Sequence, residues 1–174
     1  MKKIIFILIA ALIISNVIWG YLYFKVDHPA VHVYNLKGTG EMWDITDYKI
    51  IVTPSNILRG HGKLAYKGDP KNFEKITYYQ MKFEELNLDG NYDIVYMTEA
   101  SSKEGTVAIP ANLNDIGSIT REYSYNEPKK DIHNYNSTTL TITWNDNDGK
   151  LHSESIRLSI ENEINLDYTT QPKR

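Results

Sequence analysis

The chain contains no cysteine. That absence excludes a disulfide framework, a thiolate nucleophile, a Cys-ligated zinc site and lipid attachment through an N-terminal cysteine. The motifs that announce a nucleophile or a metalloprotease are missing as well: there is no Gly-x-Ser-x-Gly, no Ser-x-x-Lys and no His-Glu-x-x-His. No glycine loop cradles a phosphate, because Gly60-His61-Gly62 is too short and no helical pattern follows it. Basic charge is scarce. Of the 19 Lys and Arg, two are Lys2 and Lys3, which leaves 17 against 22 Asp and Glu in the remainder. Nucleic acid binding needs a basic footprint, so that partner class is excluded.

Long apolar runs are absent from all but one place. Ile4 to Phe24 holds no charged residue. About 21 residues at about 1.5 Å each span roughly 31 Å, the thickness of a bilayer core. Lys2 and Lys3 precede the run, while Lys25 and Asp27 cancel beyond it. The positive-inside bias then keeps the N-terminus in the cytoplasm and exports the body. Trp19, Tyr21, Tyr23 and Phe24 fall where an aromatic belt meets the outer headgroups. The rival reading is a cleaved signal peptide. It needs a shorter apolar run and a small-x-small site, and Ile18-Trp19-Gly20 is a poor one. A buried core helix fits poorly, because no face of the run is polar.

The expected organisation is an anchor over 1–25, a stalk over 26–40, an extracytoplasmic domain over 41–165 and a polar tail over 166–174. Val31, Val33 and Leu36 alternate weakly within the stalk, which reads as extended linker rather than as a first edge strand. The body consists of short β-type runs between turn signals. Trp43 to Thr53 alternates Trp43, Ile45, then Tyr48, Ile50, Val52, with a phase slip at Thr46-Asp47 that predicts a bulge. Further strands are expected over 62–66, 73–83, 92–98, 105–109 and 116–125, with a polar connection over 126–136. Asn112 to Ile116 admits one helical turn. Thr138 to Trp144 sets Leu140, Ile142 and Trp144 against Thr139, Thr141 and Thr143, a half-buried strand. Asn145 to Gly149 is a hairpin turn, and Lys150 to Ile160 is the return strand. The predicted fold class is all-β: an antiparallel β-sandwich, immunoglobulin-like, behind a single transmembrane helix, with a small open barrel as the alternative.

Candidate chemistry is thin. Asn145-Asp146-Asn147-Asp148-Gly149 faintly resembles a calcium loop, but alternate positions do not complete an oxygen shell, and a tight turn explains all five residues. Asp131 and His133 lack a third ligand. Glu84 and Glu85 are neighbours on a strand and point to opposite faces. No catalytic, metal or cofactor residue is assigned, and a non-enzymatic role is expected. The compositional excess is tyrosine, 13 in the chain. Tyr78, Tyr96, Tyr123 and Tyr125 are candidate contact residues for protein or cell wall; the competing account is that tyrosine suits a half-buried pleated surface. Asn16 is the candidate contact inside the membrane.

Gly40-Glu41-Met42-Trp43-Asp44-Ile45-Thr46-Asp47-Tyr48-Lys49-Ile50-Ile51-Val52-Thr53-Pro54, taken with Thr143-Trp144-Asn145-Asp146 and Asp148-Gly149-Lys150, resembles small exported proteins of low-GC Gram-positive bacteria. Those proteins carry an N-terminal hydrophobic segment and one β-rich domain, and no activity is assigned to them. Some bear a lipobox cysteine, which this chain lacks. The resemblance implies location and fold and transfers no site residue. Three functions follow: a membrane-anchored binding or accessory module, a membrane-complex subunit associating through its helix, and an envelope enzyme whose site is assembled from distant residues. The first is the expectation carried forward.

Overall fold

The structure is a computed structural model that describes residues 2–25, 31–107, 111–123 and 127–166. Residues 2–25 form one unit's helix, α1 (Lys2–Lys25). Its side chains are described at Ile9 and over residues 11–21, where nearly all are exposed. Among the described residues no helix is long and apolar enough to cross a membrane.

The second unit, Val31–Leu166, is built from strands. In order they are β1 (Val31–Thr39), β2 (Trp43–Val52), β3 (Asn56–Gly60), β4 (Lys63–Tyr66), β5 (Tyr78–Leu86), β6 (Tyr92–Ser101), β7 (Asn112–Leu113), β8 (Ser118–Glu122), β9 (Thr139–Asn145), β10 (Leu151–Arg157) and β11 (Ser159–Leu166). A short helix, α2 (Ile132–Tyr135), precedes β9. The strands make two antiparallel sheets. The first runs β11-β1-β2-β3-β8, with β4 and β7 continuing beside the early part of β2; the second runs β10-β9-β5-β6. The architecture is that of a β-sandwich.

Local sequence accounts for much of this. In β9, Leu140, Ile142 and Trp144 are buried and the three threonines face outward, as their alternation requires. The phase slip in β2 is a bulge: Leu36 pairs Tyr48 and Gly38 pairs Ile45, so one extra β2 residue is accommodated there, and Asp47 takes φ 58°. Gly60 breaks β3 from β4 at φ 133°, and a Cβ there would run into the backbone of Gly117 and Ser118.

Several expectations are corrected. The stretch expected as stalk is β1 from Val31 to Thr39, a central strand paired with both β11 and β2. Its inward residues are Tyr34, Leu36 and Gly38, while Val31 and Val33 face the other way. The expected single return strand is two. β10 ends at Arg157; Leu158 is buried and its N–H donates to the Thr138 carbonyl at 2.8 Å; β11 then joins the other sheet. Ile156, Leu158 and Ile160 stay in phase across this corner, so a period-two pattern is blind to the change of sheet. β3, Asn56–Gly60, falls in a stretch to which no strand was assigned. Residues 105–107 are not a strand, and 108–109 lie outside the described residues. The helical turn expected at Asn112–Ile116 is instead β7, and α2 lies in the expected polar connection. Leu166 ends β11, and the rest of the expected tail lies outside the described residues.

The core is rich in aromatic contacts. Trp43 packs against Tyr66, Phe73, Tyr79 and Trp144, with ring centroids 4.9–6.2 Å apart. Tyr48 stacks on Phe83 at 4.4 Å, tying the first sheet to the second.

Candidate functional site

One open edge of the sandwich forms a groove of about 1000 Å³ between the β1–β2 turn and the β9–β10 hairpin. The alternation of β9 places Trp144 at its floor, beside Tyr66 and Met42. On β10, His152 and Glu154 share the inward phase of Ile156, but β10 is an edge strand, so they line the groove rather than the core. Glu41, Asp146, Asp148 and Glu154 supply four carboxylates; among the described residues no Lys or Arg lines the groove, and Lys67 Nζ donates to the Gly40 carbonyl at its margin.

Each carboxylate has an identifiable environment. Glu154 accepts hydrogen bonds from the backbone N–H groups of Glu41 and Met42, pinning the β1–β2 turn to the second sheet. Gly40 leaves room for that carboxylate, and a Cβ there would strike it. One oxygen of Asp146 accepts from the N–H of Asp148 at 3.0 Å and of Lys150 at 2.9 Å, closing the hairpin turn. The other oxygen lies 2.8 Å from His152 Nε2. The His152 contact, against a smaller opposing effect of burial and with help from the two backbone amides, holds the Asp146 carboxyl below its ordinary value. The His152 ring stacks on Trp144 at 5.4 Å. Asn145 and Asn147, the other polar members of the turn, are occupied too. Asn145 Oδ1 accepts from the Thr77 and Tyr78 N–H groups, and Asn147 bonds the backbone of Lys71 and Lys75. The residues that faintly resemble a calcium loop thus serve as turn and clasp. Among the described residues no group of three or more His, Asp or Glu is placed to hold a metal ion.

The opposite edge holds a smaller cavity of about 330 Å³ beside a buried charge network. Arg59 and Glu85 pair in the core, Glu127 Oε1 lies 2.7 Å from Arg59, and Lys130 reaches Glu85 at 3.2 Å and Glu127 at 3.4 Å. Two cations meet two anions, so the network is balanced.

The candidates from sequence are dispersed. Asn16 donates its amide to the Leu12 carbonyl at 2.8 Å within α1. Tyr78 is half-buried on β5. Tyr96, on β6, points its hydroxyl at the Ile116 carbonyl, 2.6 Å away, and packs on Phe83. Tyr123 is half-buried against the core. Tyr125 lies outside the described residues. Asp131 caps α2 by accepting from the His133 and Asn134 N–H groups. Glu84 and Glu85 do point to opposite faces, Glu84 half-exposed and Glu85 fully buried. Sequence reasoning missed the groove residues His152 and Glu154. Their signal was present: they are polar residues in the inward phase of a strand. No protein-family model, no curated protein and no solved structure matches the chain.

Proposed function

We propose that the protein is a membrane-anchored extracytoplasmic binding module whose ligand lies along the acidic edge groove. The groove is the observation that carries this reading. It joins an aromatic floor to four carboxylates, with no Lys or Arg among its described lining residues and Lys67 at its margin, which favours an uncharged or cationic ligand over an anionic one. The anchor rests on the uncharged run Ile4 to Phe24 within α1, whose 24 residues rise about 36 Å as a helix. The charge bias of Lys2 and Lys3 supports export of the body.

The arrangement favours binding over catalysis. Asp146 and His152 make a pair, while Ser153 and Ser155, at the groove's rim, bond Thr143 and Thr141. Among the described residues no hydroxyl is hydrogen-bonded to His152. Glu154 is committed to two backbone amides. The complex-subunit reading gains nothing from Asn16, whose amide bonds its own helix. For the sandwich we propose a meander-based order rather than the immunoglobulin one, since β1, β2 and β3 lie side by side in one sheet.

A photo-crosslinking residue at Asp148, in living cells, tests the binding site. The expected result is an envelope product captured from Asp148, lost with Glu41→Lys, and absent with the same residue at Thr141. Equal capture from both positions would overturn the assignment.

A further inference from the structure

The outward face of the first sheet carries apolar side chains that the core does not use. Ile164 pairs Val33, Val33 pairs Ile51 and Ile51 pairs Leu58, so four strands contribute to one row, which Thr120 ends. Directly opposed residues share a face. The next row, Tyr34, Ile50 and Arg59, is buried, so this one points outward. Val31 and Leu166 pair one outward position further along. Ile164 and Leu166 are 46% and 54% exposed, and Val31, Val33, Ile51 and Leu58 are half-buried. An antiparallel sheet with one solvated face places polar residues there, as β9 does with its threonines. Apolar side chains grouped on such a face mark a contact surface.

The chain itself indicates what covers it. Residues 26–30 are all that separate Lys25, the end of α1, from Val31. A fully extended link of that length reaches roughly 20 Å. With α1 in the bilayer, as proposed above, this short link ties the Val31 end of β1 to the membrane. Charge agrees. The body is acidic, but the Val33 row and the neighbouring row of Asn162, Asn35 and Lys49 hold no carboxylate, and those that border them, Asp47 and Glu161, are paired with Lys63 and Lys37. Glu122, opposite Asn56 on the β8 edge, belongs to the polar rim. We infer that this face rests on the lipid surface, with Val31, Val33, Ile51, Ile164 and Leu166 at the boundary between headgroups and acyl chains. The inference depends on the membrane anchor. The edge groove lies at the far end of β1, around Thr39, and along β10, so the same contact leaves it for a ligand in solution.

The absence of native cysteine makes the test clean. The full chain, carrying Val33→Cys, Ile51→Cys or Thr143→Cys with an environment-sensitive fluorophore, is reconstituted in phosphatidylcholine–phosphatidylglycerol vesicles containing nitroxide-headgroup lipid. Flotation reads the anchor separately. Circular dichroism confirms folding, and Ile164→Cys replaces either apolar site if folding fails. The expected result is flotation of all variants, with blue-shifted and quenched emission at Val33 and Ile51 and neither change at Thr143. Flotation with Val33 and Ile51 no more quenched than Thr143 would overturn the lipid contact while sparing the anchor. A disulfide between copies of unlabelled Val33→Cys, formed under mild oxidation, would overturn it in favour of a dimer. Failure to float would overturn anchor and contact together.

Discussion

Arg59 and Glu85 face each other inside the sandwich, joined from Nε to Oε1 at 2.6 Å and from Nη2 to Oε2 at 2.7 Å. Glu85 is fully buried and Arg59 almost so. Burial opposes the charge on Arg59, yet Glu85 and Glu127 together hold the guanidinium above its ordinary value. The pair links β3 of one sheet to β5 of the other, and Glu127 with Lys130 fastens the connection that leads to α2.

Removing one member leaves an uncompensated buried charge. Arg59→Met is expected to lower stability by about 3–5 kcal/mol in urea denaturation. Arg59→Met with Glu85→Leu keeps Glu127 and Lys130 balanced, so the double variant should be more stable than Arg59→Met alone. Additive losses would show that the two residues act independently.

Two glycines with positive φ separate conformation from crowding. Gly60→Ala meets both the strain of φ 133° and the Gly117 backbone, whereas Gly90→Ala at φ 81° has nothing within 4 Å. The Gly90 substitution should cost about 1–2 kcal/mol. The Gly60 substitution should cost more, read as a larger fall in thermal midpoint.

The Asp146–His152 contact predicts an acid limb. The folded Asp146 carboxyl is held below the ordinary aspartate value of 3.8. Its contribution is therefore complete above that value and is lost as pH falls through the depressed folded value. Asp146→Asn should reduce stability at neutral pH and flatten the stability profile below pH about 4 relative to the parent. An unchanged profile would show that the contact does not contribute.

Much of the sandwich was legible because strand periodicity is local. The slip at Thr46-Asp47, the alternation from Thr138 to Trp144 and the turn at Asn145–Gly149 each depend on neighbours in the chain. What was not legible depends on partners. Val31 and Val33 drew attention as the apolar phase of β1, yet the buried phase holds Tyr34 and Leu36, because a sheet strand packs whichever side faces its sister sheet. The corner at Leu158 preserves phase and so conceals itself. Arg59 and Glu85 lie 26 residues apart and pair only because the two sheets bring them together. Glu154 and His152 face a groove only because β10 is an edge strand.

Protease treatment of intact protoplasts, combined with membrane fractionation, tests the central claim most directly. The account predicts that the full chain stays with membranes after alkaline carbonate washing and that external protease digests the body while the protoplasts remain intact. Protection of the body from external protease, or release of a soluble product starting near residues 20–31, would contradict it.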